Sequence, residues 1–469
     1  MVLRMRRTLG FHSLTSLADL IANRQISPVE IVNDLVNDIE RLNTRLGTYI
    51  TICPESAQKE ALKAEKDIRE NGPSNPLHGI PIVHKDNIWT KGVRTTAHSK
   101  TLTNFFPNEN STVVAKLASR GMILLGKTNT TEFACGDMDV YGLSRNPWNP
   151  ERFSGASSGG SAAALAAGLA IAATGSDTGG SIRAPASMCG IVGVKPTYGR
   201  VSRHGLIPLS WSMDNIGPMT RTIKDAALLL EGMSGFDALD PNSSKKPVPN
   251  FAEELNSDLT GIRIGFTKSY FFENLQPEVE QATLAALQQL EELGAELHEI
   301  FLPSAADLAA PTNVLVMSEA FGRHAQNLKT HGSEYGPKAR RRIAAGAFYT
   351  AAEVEQAAQI RTIWNAELFK GLSTVDAFVT PTLPYTAFTV NTQIQGPPDT
   401  SWATRHFNLS GYPALTMPCG FDSESLPIGL QIIAKPFQET TMFRVGHAYE
   451  LATQWHQVKP PELENANGK

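Results

Sequence analysis

Two clusters of serine set among glycines, Ser157-Ser158 and Ser181, stand twenty-four residues apart in FSGASSGGSAAALAAGLAIAATGSDTGGSIRAP, Phe153 to Pro185. A serine hydroxyl becomes a useful nucleophile only when a neighbouring base takes its proton, and glycine lets a ligand come close to main-chain N–H groups. The segment is where this chain is best equipped for chemistry, and three chemistries compete for it. Gly155-Ala156-Ser157-Ser158-Gly159 formally satisfies the GxSxG nucleophile elbow, but His78-Gly79 and His84 upstream lack the glycine run that an oxyanion loop would need, and His406 is the one late histidine of interest. Phosphate binding is disfavoured, because the loop contains no lysine and neither GxxxxGK[ST] nor GxGxxG is present. In the third reading both clusters form one site with a lysine as base. Lys85 ends the apolar run GIPIVHK, where burial would leave its amine neutral near pH 7. A lysine there also suits a structural ion pair with Asp86.

The elements around these residues read as alternating strand and helix. Ser27-Pro28-Val29-Glu30 is a capping box with proline at the first helical position, and Val32, Leu35, Val36, Ile39 and Leu42 recur at helical spacing, which predicts an amphipathic helix over 28–43. LHGIPIVHKD and Gly121–Asn129 predict buried strands flanking a helix at Ser111–Arg120. Ser161–Ala173 is expected to be one helix whose small residues allow close packing on a sheet. Further strands are predicted at Gly261–Phe266, Ala377–Pro381, Ala414–Pro418 and Ile428–Ile433, and long helices at Pro277–Leu293 and Ala351–Lys370. The rhythm implies an α/β fold with a large mixed, mainly parallel sheet covered by helices on both faces.

The composition narrows the function classes. The chain has 469 residues, is 41% hydrophobic and 19% charged, and carries a formal net charge of −4. Such a balance argues against wholesale binding to nucleic acid or acidic lipid, and Arg340-Arg341-Arg342 reads as a solvated helix face. Cys53, Cys135, Cys189 and Cys419 show neither metal-ligand nor disulfide spacing, so no metal or cofactor is expected and a reducing, cytoplasmic compartment fits. The basic N-terminus is followed by His12, Ser13, Thr15, Ser16 and Asp19, which break any signal-peptide core, and the stretch Ala162–Thr174 is too short to span a bilayer.

From Leu77 to Pro218 the chain resembles the amidase signature family, the Ser-cisSer-Lys hydrolases. HGIPIVHKDN is similar to that family's lysine motif, GASSGGSAA to its central serine motif and GSDTGGSIRAP to its nucleophile motif, in the same order. Weaker similarity continues through FVTPTLP, LSGYPALTMPCGF and LPIGLQIIAKPF. The resemblance implies one domain over 1–469: an N-terminal helical scaffold (1–70), a catalytic core (71–235), a helical insertion bearing part of the pocket (236–380) and a return to the sheet (381–460). It implies Ser181 as nucleophile, Ser157 as bridging serine after a cis peptide bond, and Lys85 as ultimate base. The N–H groups of Thr178, Gly179, Gly180 and Ser181 would form the oxyanion hole, with Ser158, Asp177 and Arg183 in support. Two residues depart from the family pattern: Ala156 and His98 stand where glycine is usual.

Within the family, the glutamine-hydrolysing subunit of the tRNA-dependent amidotransferase has a similar layout. Its tyrosine- and aspartate-bearing helix motif is replaced here by YTAAEVEQAAQIR, and Ser401 and Trp402 stand where an acidic residue precedes NLSG. The segments Cys135–Tyr141, Ala347–Tyr349 and Tyr385–Phe407 suggest a neutral, aromatic pocket that includes Met138, Tyr141, Tyr385, Trp402 and His406. The expectation is therefore a stand-alone hydrolase of neutral amides or carbamates (urethanes), monomeric or homodimeric, acting on a small-molecule amide without nucleic-acid or membrane partners. The glutaminase subunit is the alternative.

Overall fold

Strand pairing begins where the apolar runs predict it. In the computed structural model, which describes residues 6–390 and 398–461, eleven strands form one sheet among the described residues. They are β1 (Tyr49–Ile52), β2 (Pro81–Lys85), β3 (Ile123–Thr128), β4 (Ala172–Asp177), β5 (Val192–Lys195), β6 (Asn215–Thr220), β7 (Arg263–Phe266), β8 (Glu296–Glu299), β9 (Ala377–Pro381), β10 (Ala414–Phe421) and β11 (Pro427–Ala434). Their order across the sheet is β1-β3-β2-β4-β6-β5-β10-β11-β9-β7-β8. The α/β class and the mixed sheet are as expected. Parallel pairing is nonetheless confined to β3-β2-β4 and β9-β7-β8, while the middle of the sheet from β4 to β9 is antiparallel. The reason is that β5 runs on into β6, and β10 into β11, without the helical crossover on which the sequence rhythm relied.

Strand alternation fixes what each face meets. Gly193, Thr416 and Gln431 lie in register across β5, β10 and β11. A Cβ on Gly193 would touch Ala186 and Ile182, and Gln431 accepts from Arg183, so this face packs on the helix Arg183–Cys189. Leu415, one residue along, points to the other face and approaches Gly446 of the helix Glu439–Thr453. The capping box at Ser27 and Glu30 is formed, and its helix runs from Pro28 to Leu46.

The small-residue segment folds differently from its expected single helix. The helix covers only Gly159–Ala166; the chain then turns through Gly168 at φ +70° and re-enters the sheet as β4. Ala172 to Asp177 is fully buried on both faces, which gives a strand and a core helix the same unbroken apolar signature. Gly160 explains the small side chains: a Cβ there would lie 2.4 Å from Asn129 N and 2.6 Å from Asn129 O at the end of β3. Above the site, the helices Ala309–His331, Pro337–Ala345 and Ala351–Gly371 pack around Trp364, Leu368 and Ile343.

Gly160→Ala should therefore force the helix off β3. The expected result is a loss of about 1–3 kcal/mol in thermal or denaturant unfolding.

Candidate active site

The parallel unit β3-β2-β4 places the last residues of two strands side by side, the position at which open α/β sheets bind ligands. Lys85 ends β2, and Ser176-Asp177 ends β4. The Lys85 amine is fully buried, 2.6 Å from Ser157 Oγ and 2.9 Å from Ser176 Oγ; the latter also accepts from Asn87 Nδ2 at 2.9 Å. Burial lowers its pKa to about 7, against the opposing pull of Asp177 and Asp214. Ser157 is buried and follows a cis Ala156–Ser157 peptide bond. Ser181 is half-exposed and lines the same cavity of about 310 Å³ as Ser157. The alternative Lys85–Asp86 ion pair is not formed among the described residues: Asp86 lies 3.8 Å from Lys127 and accepts from Thr96.

Asp177 organises the turn that carries Ser181. Its carboxylate accepts from the N–H groups of Gly180 (2.7 Å) and Ile182 (3.1 Å), from Asn408 Nδ2 (2.8 Å) and from the Arg183 guanidinium (3.0 and 3.1 Å). Burial opposes the charge, but Arg183 and Asn408 outweigh it and hold the carboxyl well below the usual range. Arg183 is in turn held by Gln431 and Asn408. The N–H of Gly180 is thus already engaged, which removes it from the expected oxyanion donors and leaves those of Thr178, Gly179 and Ser181. Gly180 itself sits at φ +130°, and a Cβ there would come within 2.1 Å of Thr404 Oγ1, which donates to Gly179 O. Ser158 N–H donates to Ser181 O at 3.1 Å, so the two serine clusters are tied directly.

The cavity wall differs from the expected neutral, aromatic one. Met138 lines it, together with Phe153 and Phe388. Tyr141, Tyr385, Trp402 and His406 do not. Tyr141 packs against His98, Tyr385 against Phe388, and Trp402 stacks on Tyr270. His406 is fully buried among Phe271, Trp364 and Phe407, where burial lowers its pKa to about 3. Residues 391–397, within the Tyr385–Phe407 stretch expected at the pocket, lie outside the described residues. Charged residues occupy the wall instead: Arg342, Lys338 paired with Asp137 at 3.2 Å, and Arg405 paired with Asp399.

Arg342 was the residue most easily misread, since Arg340 and Arg341 beside it are indeed exposed. The available signal was spacing. Lys338 and Arg342 stand four apart, next to the buried Ala339 and Ile343, on the inward side of their helix. Asp214, which binds Thr178 Oγ1 at 2.5 Å and is raised to about 6 by burial, carried no sequence signal, nor did Ser176 or Asn408.

Known proteins resemble the chain over nearly its whole length. The Amidase family model matches residues 30–443. The A subunit of the glutamyl-tRNA(Gln) amidotransferase from Thermodesulfovibrio yellowstonii is 42% identical, covering 95% of this chain and 98% of its own. Among solved structures, a peptide amidase in complex with the competitive inhibitor chymostatin matches with a TM-score of 0.88 at 28% identity, covering 96% of this chain and 99% of its own. The A subunit of the same amidotransferase from Thermotoga maritima gives 0.77 at 33% identity, covering 90% and 91%. These relatives overturn the expected partner set of a small-molecule amide alone, a monomer or homodimer and no nucleic acid, because the sequence relative is one subunit of an enzyme named for a charged tRNA. No helix among the described residues is long and apolar enough to cross a membrane. Matched over most of its length by the family model, this chain belongs to the amidase family, whose members hydrolyse C–N bonds.

Proposed function

We propose that the chain hydrolyses the side-chain amide of glutamine, as the A subunit of a tRNA-dependent amidotransferase. The observation that carries this reading is Arg342. Its half-buried guanidinium lines the cavity and donates to Cys135 O at 3.0 Å, and among the described residues it forms no ion pair. A cation so placed suits the α-carboxylate of an amino acid, and Asp137 and Asp399 on the same wall suit its ammonium. The resemblance of the whole chain to amidotransferase A subunits supports the same substrate.

In this proposal neutral Lys85 takes the Ser157 proton as Ser157 takes that of Ser181, and Ser181 Oγ attacks the amide carbon. The oxyanion is met by the remaining N–H donors of the Thr178–Ser181 turn. The protons then return along the relay to the departing nitrogen, which leaves as ammonia, and water releases glutamate from the acyl-enzyme. A stand-alone amidase is the second reading, favoured by the higher TM-score to the peptide amidase and by Ser401 on the cavity wall.

Two measurements test these assignments. Because Lys85 acts as its free amine and its pKa is lowered to about 7, kcat/KM should rise with pH and level off above that value, dropping about tenfold for each unit below it; a rate flat from pH 8 to 5 contradicts the base. Arg342→Met should lower kcat/KM for glutamine by about 10- to 100-fold yet leave a neutral primary amide nearly unaffected. Equal losses on both substrates, or turnover of anilides with none of glutamine, would favour the stand-alone amidase.

A further inference from the structure

The carbonyls of the turn that carries Ser181 are each taken by a donor. Gly180 O accepts from Ala184 N–H at 2.8 Å and Ser181 O from Ser158 N–H at 3.1 Å, both of them main-chain groups. Gly179 O is held instead by a side chain, the hydroxyl of Thr404, at 2.6 Å. Thr404 is fully buried and comes from another part of the cavity wall, the stretch that bears Asp399, Ser401 and Arg405. Its own N–H donates to Ser401 O at 3.2 Å, which fixes the residue just ahead of the helix Arg405–Ser410.

The peptide between Gly179 and Gly180 has glycine on both sides, so local stereochemistry does little to fix its plane. It is pinned at both of its polar atoms: Thr404 takes the carbonyl oxygen, and Asp177 takes the N–H at 2.7 Å. Were this peptide to rotate, the N–H groups on either side of it, those of Gly179 and Ser181, would change direction with it. Among the described residues these two N–H groups and that of Thr178 donate to no protein group, and all three residues line the cavity. Gly180 lies at φ +130°, and a Cβ there would come within 2.1 Å of Thr404 Oγ1, so it is the missing side chain that admits the hydroxyl.

We propose that Thr404 is a positioning residue for the oxyanion hole: its hydroxyl locks the Gly179–Gly180 peptide and thereby aims the Gly179 and Ser181 N–H groups at the oxygen of the attacked amide. It acts through the turn, without touching substrate. Donors aimed at developing charge count most in the transition state, so their misdirection lowers kcat and leaves KM nearly unchanged. The inference rests on Ser181 attacking in this cavity and holds for glutamine and for a neutral amide alike.

The test compares Thr404→Ala with Thr404→Ser, which differ by the hydroxyl alone, on whichever of glutamine and a neutral primary amide the wild type hydrolyses. Thr404→Ala should lower kcat about 10- to 100-fold with KM within about twofold, while Thr404→Ser should keep kcat within about threefold of wild type. The aldehyde analogue of that amide gives a second readout. Ser181 Oγ bonds to its carbon, the hydroxyl proton passes to Ser157 and on to Lys85, and the former carbonyl oxygen takes the charge in the same hole. Its inhibition constant should weaken in Thr404→Ala by the same factor as kcat, which loosened packing elsewhere would not produce. A kcat within about twofold of wild type in Thr404→Ala, a serine variant no better than alanine, or an aldehyde bound as tightly by the alanine variant as by the wild type would overturn the assignment. If Thr404→Ala does not fold, Thr404→Ser decides alone, and a loss of kcat or aldehyde affinity beyond about threefold overturns it. Ser181→Ala is measured beside them. If it still hydrolyses the amide, the nucleophile reading and this role fall together; if it is inert while Thr404→Ala is unimpaired, this role alone falls.

Discussion

An amine is held fully buried and, among the described residues, without a contacting carboxylate at the end of β2, and the surrounding structure is arranged around that condition. Among the described residues, Lys85 Nζ meets only hydroxyl and carbonyl oxygens, those of Ser157 and Ser176. Burial favours the uncharged amine, while Asp177 and Asp214 favour the ammonium from a distance. Were either carboxylate free to contact Lys85, the amine would become half of an ordinary ion pair. Asp177 is instead occupied by Arg183, Asn408 and two N–H groups, and Asp214 by Thr178 and the N–H groups of Leu209 and Ser210. The balance settles at about 7, the range in which a lysine serves as a base at neutral pH.

The same carboxylate that is kept away from Lys85 builds the turn bearing Ser181. Asp177 spends one oxygen on Gly180 and the other on Ile182, so its charge both shapes the turn and is neutralised by Arg183, the first residue of the next helix. Breaking a buried pair of this kind by removing one partner leaves an uncompensated charge and typically costs about 3–5 kcal/mol. Loop geometry and electrostatics are therefore a single device. The helix Gly159–Ala166 brings Ser157 and Ser158 to it only because Gly160 lets the helix lie against Asn129.

Much of this was legible in the chain. Glycine beside serine marks places where backbone must come close to other groups, and residue type and spacing singled out Ser157, Ser181 and Lys85, of which the fold brings Lys85 to Ser157 and sets both serines on one cavity. Strands β2, β3, β9, β10 and β11 followed from apolar runs. The reading failed where burial erases periodicity, as at Ala172–Asp177, a strand enclosed on both faces that reads like the end of a helix. It failed again at the cavity wall. Tyr141, Trp402 and His406 have the chemistry of pocket residues, but their rings satisfy one another and their neighbours in the interior, whereas Arg342 has the chemistry of a surface residue and faces inward.

What the sequence by itself determined is the set of groups proposed for the chemistry and the small-residue backbone that can bring them together, because those depend on local stereochemistry and short-range spacing. Only the tertiary structure decided which charges face the cavity, that the Gly180 N–H is held by Asp177 and why Lys85 is not ion-paired. Those outcomes are sums over residues far apart in the chain: Asp177 with Asn408, Arg183 with Gln431, Asp137 with Lys338. A side chain's charge state and direction are set by everything packed around it, and that surrounding exists only once the sheet has closed.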